Sequence, residues 1–285
     1  MKIACNVVTY NRLNLLKACI DGLENQSYKD FDIVVINNDS TDGTQEWLLS
    51  KTKIKTINQE NLGGAGGFYT GMKYAYDNNY DWIWMMDDDG VTDKDQLKEL
   101  VEKSVANNLI FTNALVCNIE EPEKLSFGLF YKQTIQNVAD AKKYKLIPNS
   151  VNPFNGTFIN RKVIDQIGFI KKEMYIWGDE WEYTLRAQKN KIVPTTVVTA
   201  IHYHPEGRSQ MLPLLPFFKR KILIVRKDRI KYSMKNHGYI FSRYYSKWRV
   251  VLFGVEHIIY YLLRLRLREL YLFIKYYIDG IRDNY

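Results

Sequence analysis

Three consecutive carboxylates close an apolar run in Trp82-Ile83-Trp84-Met85-Met86-Asp87-Asp88-Asp89-Gly90. Alternate residues of an extended backbone share a face, so Asp87 and Asp89 are expected to reach one cation while Asp88 turns elsewhere. Oxygen-only donors favour Mg²⁺ or Mn²⁺, and these ions favour a phosphate-bearing substrate. Without a cation, three carboxylates at a buried strand end repel one another, which weighs against an ordinary acidic turn. His202 and His204 stand two apart in a strand-like run, and either can complete the metal's coordination or touch a diphosphate.

A second carboxylate group lies in Trp177-Gly178-Asp179-Glu180-Trp181-Glu182-Tyr183. A carboxylate within hydrogen-bond reach of an attacking hydroxyl can act as its general base, and Asp179 is the candidate. Trp177 offers a flat apolar surface for a sugar ring, and Glu180 is expected to help orient the acceptor. The other reading is an acidic helix start stabilised by the macrodipole, with the tryptophans as core.

The segment Asn61-Leu62-Gly63-Gly64-Ala65-Gly66-Gly67-Phe68 is a glycine loop but not a dinucleotide fingerprint, because Tyr69 stands where Gly64-x-Gly66-x-x-Gly needs its third glycine. Gly64 and Gly66 are expected to let the backbone approach a donor sugar or pyrophosphate. No Walker loop is present, which removes the kinase and ATPase readings that depend on one.

These residues need a frame that holds them together. Residues 3–9, 32–37, 55–58, 82–86 and 109–116 read as short buried strands, alternating with helices over 13–25, 44–50, 67–77 and 93–107, the last with a capping box from Thr92 and Asp95. Such alternation predicts an α/β fold with a mostly parallel sheet flanked by helices. Ligands of such sheets bind beyond the strands' carboxyl ends, where Thr9-Tyr10-Asn11-Arg12, residues 37–42, 61–67 and 87–90 all fall. Residues 122–148 show no clear period and read as a variable insertion over the site. A strand from 155, helices at 161–167 and 179–188 and a strand at 197–204 complete a catalytic domain over 1–212.

Residues 213–285 form a basic, aromatic helical appendage. They hold 16 Lys+Arg against 5 Asp+Glu, while the preceding 212 residues hold 24 against 27. That asymmetry predicts an anionic partner, phospholipid or nucleic acid, and basic and aromatic residues at helical spacing suit a membrane surface, with packing on the catalytic domain or another subunit as a compatible alternative. The three cysteines lack metal-type spacing, no signal peptide opens the chain, and the longest apolar stretch is too short to span a bilayer, so a cytoplasmic, peripheral enzyme is expected.

Together these motifs resemble glycosyltransferase family 2, of the GT-A fold, and within it the rhamnosyl- and galactofuranosyltransferase-like branch, over residues 2–209. The resemblance implies a nucleotide-contacting first loop at Thr9, Tyr10, Asn11 and Arg12, and a second at 37–44. Asn37 and Asn38 stand where many members carry two Asp, so the base contact is expected to run through an amide, with Asn38 and Asp39 gripping the nucleotide. Asp87 and Asp88 fall in the branch's donor and metal motif. The resemblance also implies Asp179 as base and His202 or His204 as the metal or phosphate histidine. The expectation is an inverting transferase using Mn²⁺ or Mg²⁺, which moves galactofuranose from UDP, or rhamnose from dTDP, onto a glycan or lipid-linked acceptor, with no nucleic-acid partner. A nucleotidylyltransferase would carry a glycine- and Arg-rich first loop, which this chain lacks. An inactive membrane-binding scaffold would not need both the Asp cluster and Asp179.

Overall fold

A computed structural model describes residues 1–206, 210–214, 220–225 and 227–285. The last residues of the stretch that resembles the family, 207–209, lie outside the described residues, as do 215–219 and 226 of the basic tail. The chain divides into two compact units, one of residues 1–172 and 183–207, the other of 173–182 and 208–285.

The first unit runs β1 (Ile3–Thr9), α1 (Leu13–Glu24), β2 (Asp32–Asn38), α2 (Thr44–Leu49), β3 (Ile54–Gln59), α3 (Gly63–Asp77), β4 (Trp82–Asp87), β5 (Val91–Thr92), α4 (Gln96–Ala106) and β6 (Phe111–Asn118). It continues through β7 (Lys124–Tyr131), β8 (Gln133–Asn137), α5 (Val138–Ala141), β9 (Leu146–Pro148), β10 (Asn155–Asn160), α6 (Arg161–Ile167), most of α7 (Asp179–Lys189) and β11 (Thr195–His204). The sheet order is β3-β2-β1-β4-β10-β6-β11-β5, with β7, β8 and β9 attached at its side. β3, β2, β1 and β4 are mutually parallel, as are β6 and β11, while β10 runs antiparallel between β4 and β6.

The period-two pattern of the strands sorts the core into two layers. Ala4 and Val8 of β1, with Ile83 and Met85 of β4, pack against α3, α6 and the later turns of α7. Ile3, Cys5 and Val7, with Trp82, Trp84 and Met86, pack against α1, α2 and α4. Both faces of these central strands are covered, which is why they read as continuous apolar runs.

Two local expectations change, and one unassigned stretch gains its elements. Helix α3 starts at Gly63, four residues before the expected start, because the Asn61 side chain accepts the Gly63 N–H at 2.9 Å and turns the glycine run into the first helical turn. Thr92 does not cap α4. It lies in β5, pairs with His202, and takes a hydrogen bond from Gln26 Nε2 at 3.0 Å, so α4 begins only at Gln96. The stretch 122–148 is ordered into the β7–β8 hairpin, α5 and β9, around a small core of its own that includes Leu125, Leu129, Ile135 and Ile147.

The second unit holds the hairpin β12 (Gln210–Pro213) and β13 (Lys221–Ile224), then the helices α8 (Ile230–Tyr244), α9 (Lys247–Leu263) and α10 (Leu267–Ile281). Gly238 of α8 and Gly280 of α10 bring these two helices together; a Cβ at either position would overlap the other helix's backbone. Among the described residues, no helix is long and apolar enough to cross a membrane.

Candidate active site

Strand β1 lies between β2 and β4, so the chain order reverses there, and the carboxyl ends of β1 and β4 flank the switch point where α/β sheets take ligands. The loops following these two strands meet. Thr9 Oγ1 donates to Asp88 Oδ2 at 2.7 Å, and Arg12 Nη1 donates to Asp88 Oδ1 at 3.1 Å and Asp89 Oδ2 at 2.9 Å. On its other side, Asp89 Oδ1 lies 3.1 Å from His204 Nε2, the imidazole at the end of β11.

The expected alternation of Asp87, Asp88 and Asp89 stops with the strand. β4 ends at Asp87, and Asp88 and Asp89 occupy the following turn, so both face Arg12. Burial pushes the Asp88 carboxyl up to about 6, against the opposing hydrogen bond from Thr9 and the charge of Arg12. Partial burial works in the same sense at Asp89, but the His204 hydrogen bond and the His204 and Arg12 charges outweigh it and hold Asp89 below the usual carboxylate range. Of the two, Asp89 is therefore the one more firmly ionised. Asp87 is half-buried, and its carbonyl lies 3.9 Å from Cys19 Sγ.

Adjacent residues hold this turn from beneath. His202 is fully buried under Gly90, where a Cβ would overlap its Nε2, and its Nδ1 lies 3.3 Å from Gln96 Oε1. Burial lowers its pKa to about 3, so the ring is neutral, and among the described residues Nε2 has no hydrogen-bond partner. The two histidines thus occupy different environments: His204 meets Asp89, and His202 supports the turn. The β7–β8 region reaches the same place, since Ser126 Oγ donates to the His204 carbonyl at 2.6 Å and the Phe127 ring lies 5.1 Å from the imidazole. Neither Ser126 nor Phe127 carries a sequence signal, because their segment lacks a motif and a clear period.

The second loop is a hydrogen-bonded scaffold. Asn37 Oδ1 accepts the Ser40 N–H, and the buried Asn38 amide donates to the Gly63 carbonyl at 3.1 Å and accepts from Gln59 at 2.6 Å. Asn11, in the left-handed region at φ 52°, donates its N–H to Ser40 Oγ and accepts from the Thr41 N–H. Asp42 receives the N–H groups of Leu13 and Thr44, tying the loop to α1. Asp39, with φ 64°, and Tyr10 stay exposed. Gly64 opens onto free space, whereas a Cβ on Gly67 would overlap Val8, so one glycine leaves room outside the helix and the other allows α3 to approach β1.

Trp177, Asp179 and Glu180 belong to the second unit. Tyr175 and Trp177 both take φ 63°, a sparsely populated backbone that the surroundings must hold in place. Asn236 of α8 provides that hold, its amide within 2.7–3.0 Å of the Met174, Ile176 and Trp177 carbonyls. Arg229 covers the half-exposed Trp177 ring at 5.3 Å, and Glu180 accepts the Gly178 N–H at 3.1 Å. Asp179 is buried at the first position of α7.

Among the described residues, no three His, Cys, Asp or Glu side chains converge as a finished metal cage. The Asp89–His204 pair nevertheless fits a divalent cation of the Mg²⁺ or Mn²⁺ type, which takes one or two protein ligands and fills its remaining positions with water and substrate phosphates.

Known proteins resemble this chain in sequence and in fold. Galactofuranosyltransferase GlfT1 of Mycolicibacterium smegmatis is 28% identical over 247 residues, 83% of this chain and 82% of that protein. Its counterpart in Mycobacterium tuberculosis is also 28% identical, over 83% and 81% of the two chains. Among solved structures, GalNAc-T7 with UDP, GalNAc and Mn²⁺ matches with TM-score 0.64 at 14% identity, over all of this chain and 58% of that one. TarS of S. aureus in complex with UDP-GlcNAc matches with TM-score 0.57 at 12% identity, over all of this chain and 93% of that one. The sequence model of glycosyl transferase family 2 matches residues 6–168, and the chain belongs to that family as a glycosyltransferase of the GT-A fold.

Proposed function

We propose that this chain is an inverting, divalent-cation-dependent transferase that moves galactofuranose from UDP-galactofuranose onto a hydroxyl of a bacterial surface glycan or lipid-linked acceptor. The meeting of Arg12, Asp88, Asp89 and His204 at the sheet's switch point carries the reading of a diphosphate-handling site. The choice of sugar rests on the two galactofuranosyltransferases above, each aligned over four-fifths of its length. A dTDP-rhamnose donor is the second reading, because the amide-bearing second loop leaves the base undetermined.

In this reading Asp89 and Asp87 would supply the one or two carboxylates that hold Mn²⁺ or Mg²⁺, with His204 beside Asp89 able to join them and His202 beneath the turn. The cation, when bound, neutralises the departing diphosphate. Thr9, Tyr10, Asn11, Arg12, Asn38, Asp39 and Asp88 form the nucleotide and phosphate side. Gly64 and Gly66, in the first turn of α3, present backbone N–H groups to the donor. Asp179 accepts the proton of the acceptor hydroxyl as it attacks the anomeric carbon, while Trp177 and Glu180 orient the acceptor. Residues 1–212 form the catalytic part in this account. The basic region from 213 holds the enzyme at the cytoplasmic face of an anionic membrane.

The test is sugar release and transfer from UDP-galactofuranose and dTDP-rhamnose, each with Mn²⁺ and with EDTA. Turnover of the UDP donor alone, abolished by EDTA, is expected; equal rates with EDTA would remove the cation from the account.

A further inference from the structure

Helix α9 is apolar on the side that faces away from the protein as well as lined with aromatic rings on the side that is covered. Its covered side carries Phe253, Glu256, His257, Tyr260 and Tyr261, while its exposed side carries Trp248, Val251, Leu252, Val255, Ile259 and Leu262. At 100° per residue these six positions fall within about a third of the helix circumference, one continuous stripe. Leu263 and the turn residue Leu265, 83% exposed, extend it toward α10, where Leu267, Tyr271, Ile274 and Ile278 are exposed in turn. Scattered apolar residues are ordinary on a protein surface, but a contiguous stripe of this length marks a contact.

The charges choose the partner. Every exposed charged residue between 247 and 278 is basic: Lys247, Arg266, Arg268 and Lys275. The two carboxylates of that stretch are buried and internally paired, Glu256 with Arg220 at 2.6 Å and Glu269 with Lys227 at 3.0 Å. A second copy docking through the same face would bring like charges together without a carboxylate to answer them. An anionic bilayer supplies both an apolar layer for the stripe and negative headgroups for its basic border. The 17 residues of α9 extend about 25 Å, short of the roughly 30 Å hydrocarbon core, so the helix is too short to span it.

We infer that the exposed face of α9, with the Leu265 turn and the outer side of α10, lies in the plane of an anionic bilayer with its aliphatic side chains below the headgroups and Trp248 at their level. This inference rests on the membrane-surface reading above and adds which face enters and how deeply.

The experiment uses the full chain with vesicles of phosphatidylcholine alone or mixed with phosphatidylglycerol, read by flotation and by quenching of tryptophan emission with brominated acyl chains. Trp248→Phe assigns the quenched signal. Binding to the mixed vesicles, with Trp248 quenched, is the expected result. Val255→Glu with Leu262→Glu, both at exposed positions, is expected to weaken binding at least about tenfold and remove the quenching. Donor hydrolysis by this variant, unchanged in solution, reports that it is folded. Charge-dependent binding that the Glu pair does not alter, without quenching, would overturn insertion and leave the membrane-surface reading intact. Absence of binding to either vesicle would overturn both. A dimer in sedimentation that the Glu pair dissociates would assign the face to self-association and overturn the inference.

Discussion

Arg12 bridges Asp88 and Asp89 through one Nη1 atom, while His204 approaches Asp89 from the opposite side. That arrangement divides the acidic run into separate tasks. Asp88, buried and bonded to Thr9, fixes the turn; Asp89, the more firmly ionised, is available to a cation. Asp89→Asn is expected to lower turnover about 100-fold or more, measured as donor consumption at saturating Mn²⁺. His204→Asn and His202→Asn should separate: the first raises the Mn²⁺ concentration for half-maximal rate by about 10- to 100-fold, and the second chiefly lowers the thermal midpoint by removing a packed ring beneath Gly90. The residue types at this site were legible from the chain, because carboxylates at the end of a buried strand demand an explanation. Their division of labour was not, since it depends on Thr9 and Arg12 meeting residues 76 to 79 positions away.

At the scale of elements, β1 and β4 were legible because both of their faces are apolar and covered, while α3 was partly hidden by glycines that erase the helical period. Those glycines make a contrast that can be measured. Gly67→Ala places a methyl against Val8 and is expected to destabilise by about 1–3 kcal/mol, whereas Gly64→Ala, facing open space, should leave stability unchanged or raised by up to about 1 kcal/mol. If Gly64 faces the donor, the same change raises the donor KM, so urea unfolding and steady-state kinetics together test both roles. Asn236→Ala removes an amide shared among three carbonyls of the Trp177 segment and is expected to destabilise by about 1–3 kcal/mol. Its predicted kinetic signature is a lowered kcat with the Kd for UDP unchanged. The hairpin β7–β8 was illegible for a different reason: its alternation is broken by a register shift between Lys124 and Leu129, so no stretch of steady period survives.

At the scale of the whole molecule, charge asymmetry was the legible feature, and the uncovered apolar stripe of α9 was not, since the period of a sequence finds an apolar stripe without saying which way it faces. The aromatic interior of the second unit carries a pH response of its own. Burial among rings including Phe253, stacked at 5.2 Å, lowers the His237 pKa to about 4. The unfolded chain therefore takes up this proton first, so the contribution is complete above the ordinary His value of about 6.5 and is lost as pH falls toward 4, with an upper bound of about 3 kcal/mol. Asp88, whose pKa is raised, acts in the opposite sense around pH 6, so the check is the difference between wild type and His237→Gln in urea unfolding at pH 7.5 and 4.5. That difference should shrink at the lower pH. The most direct measurement of the central claim is calorimetric titration with UDP, with and without Mn²⁺, on the wild-type chain and on Asp89→Ala. Binding that requires both Mn²⁺ and Asp89 is the result predicted for a diphosphate site at the β1–β4 switch point, and binding indifferent to both, or none under any condition, would contradict it.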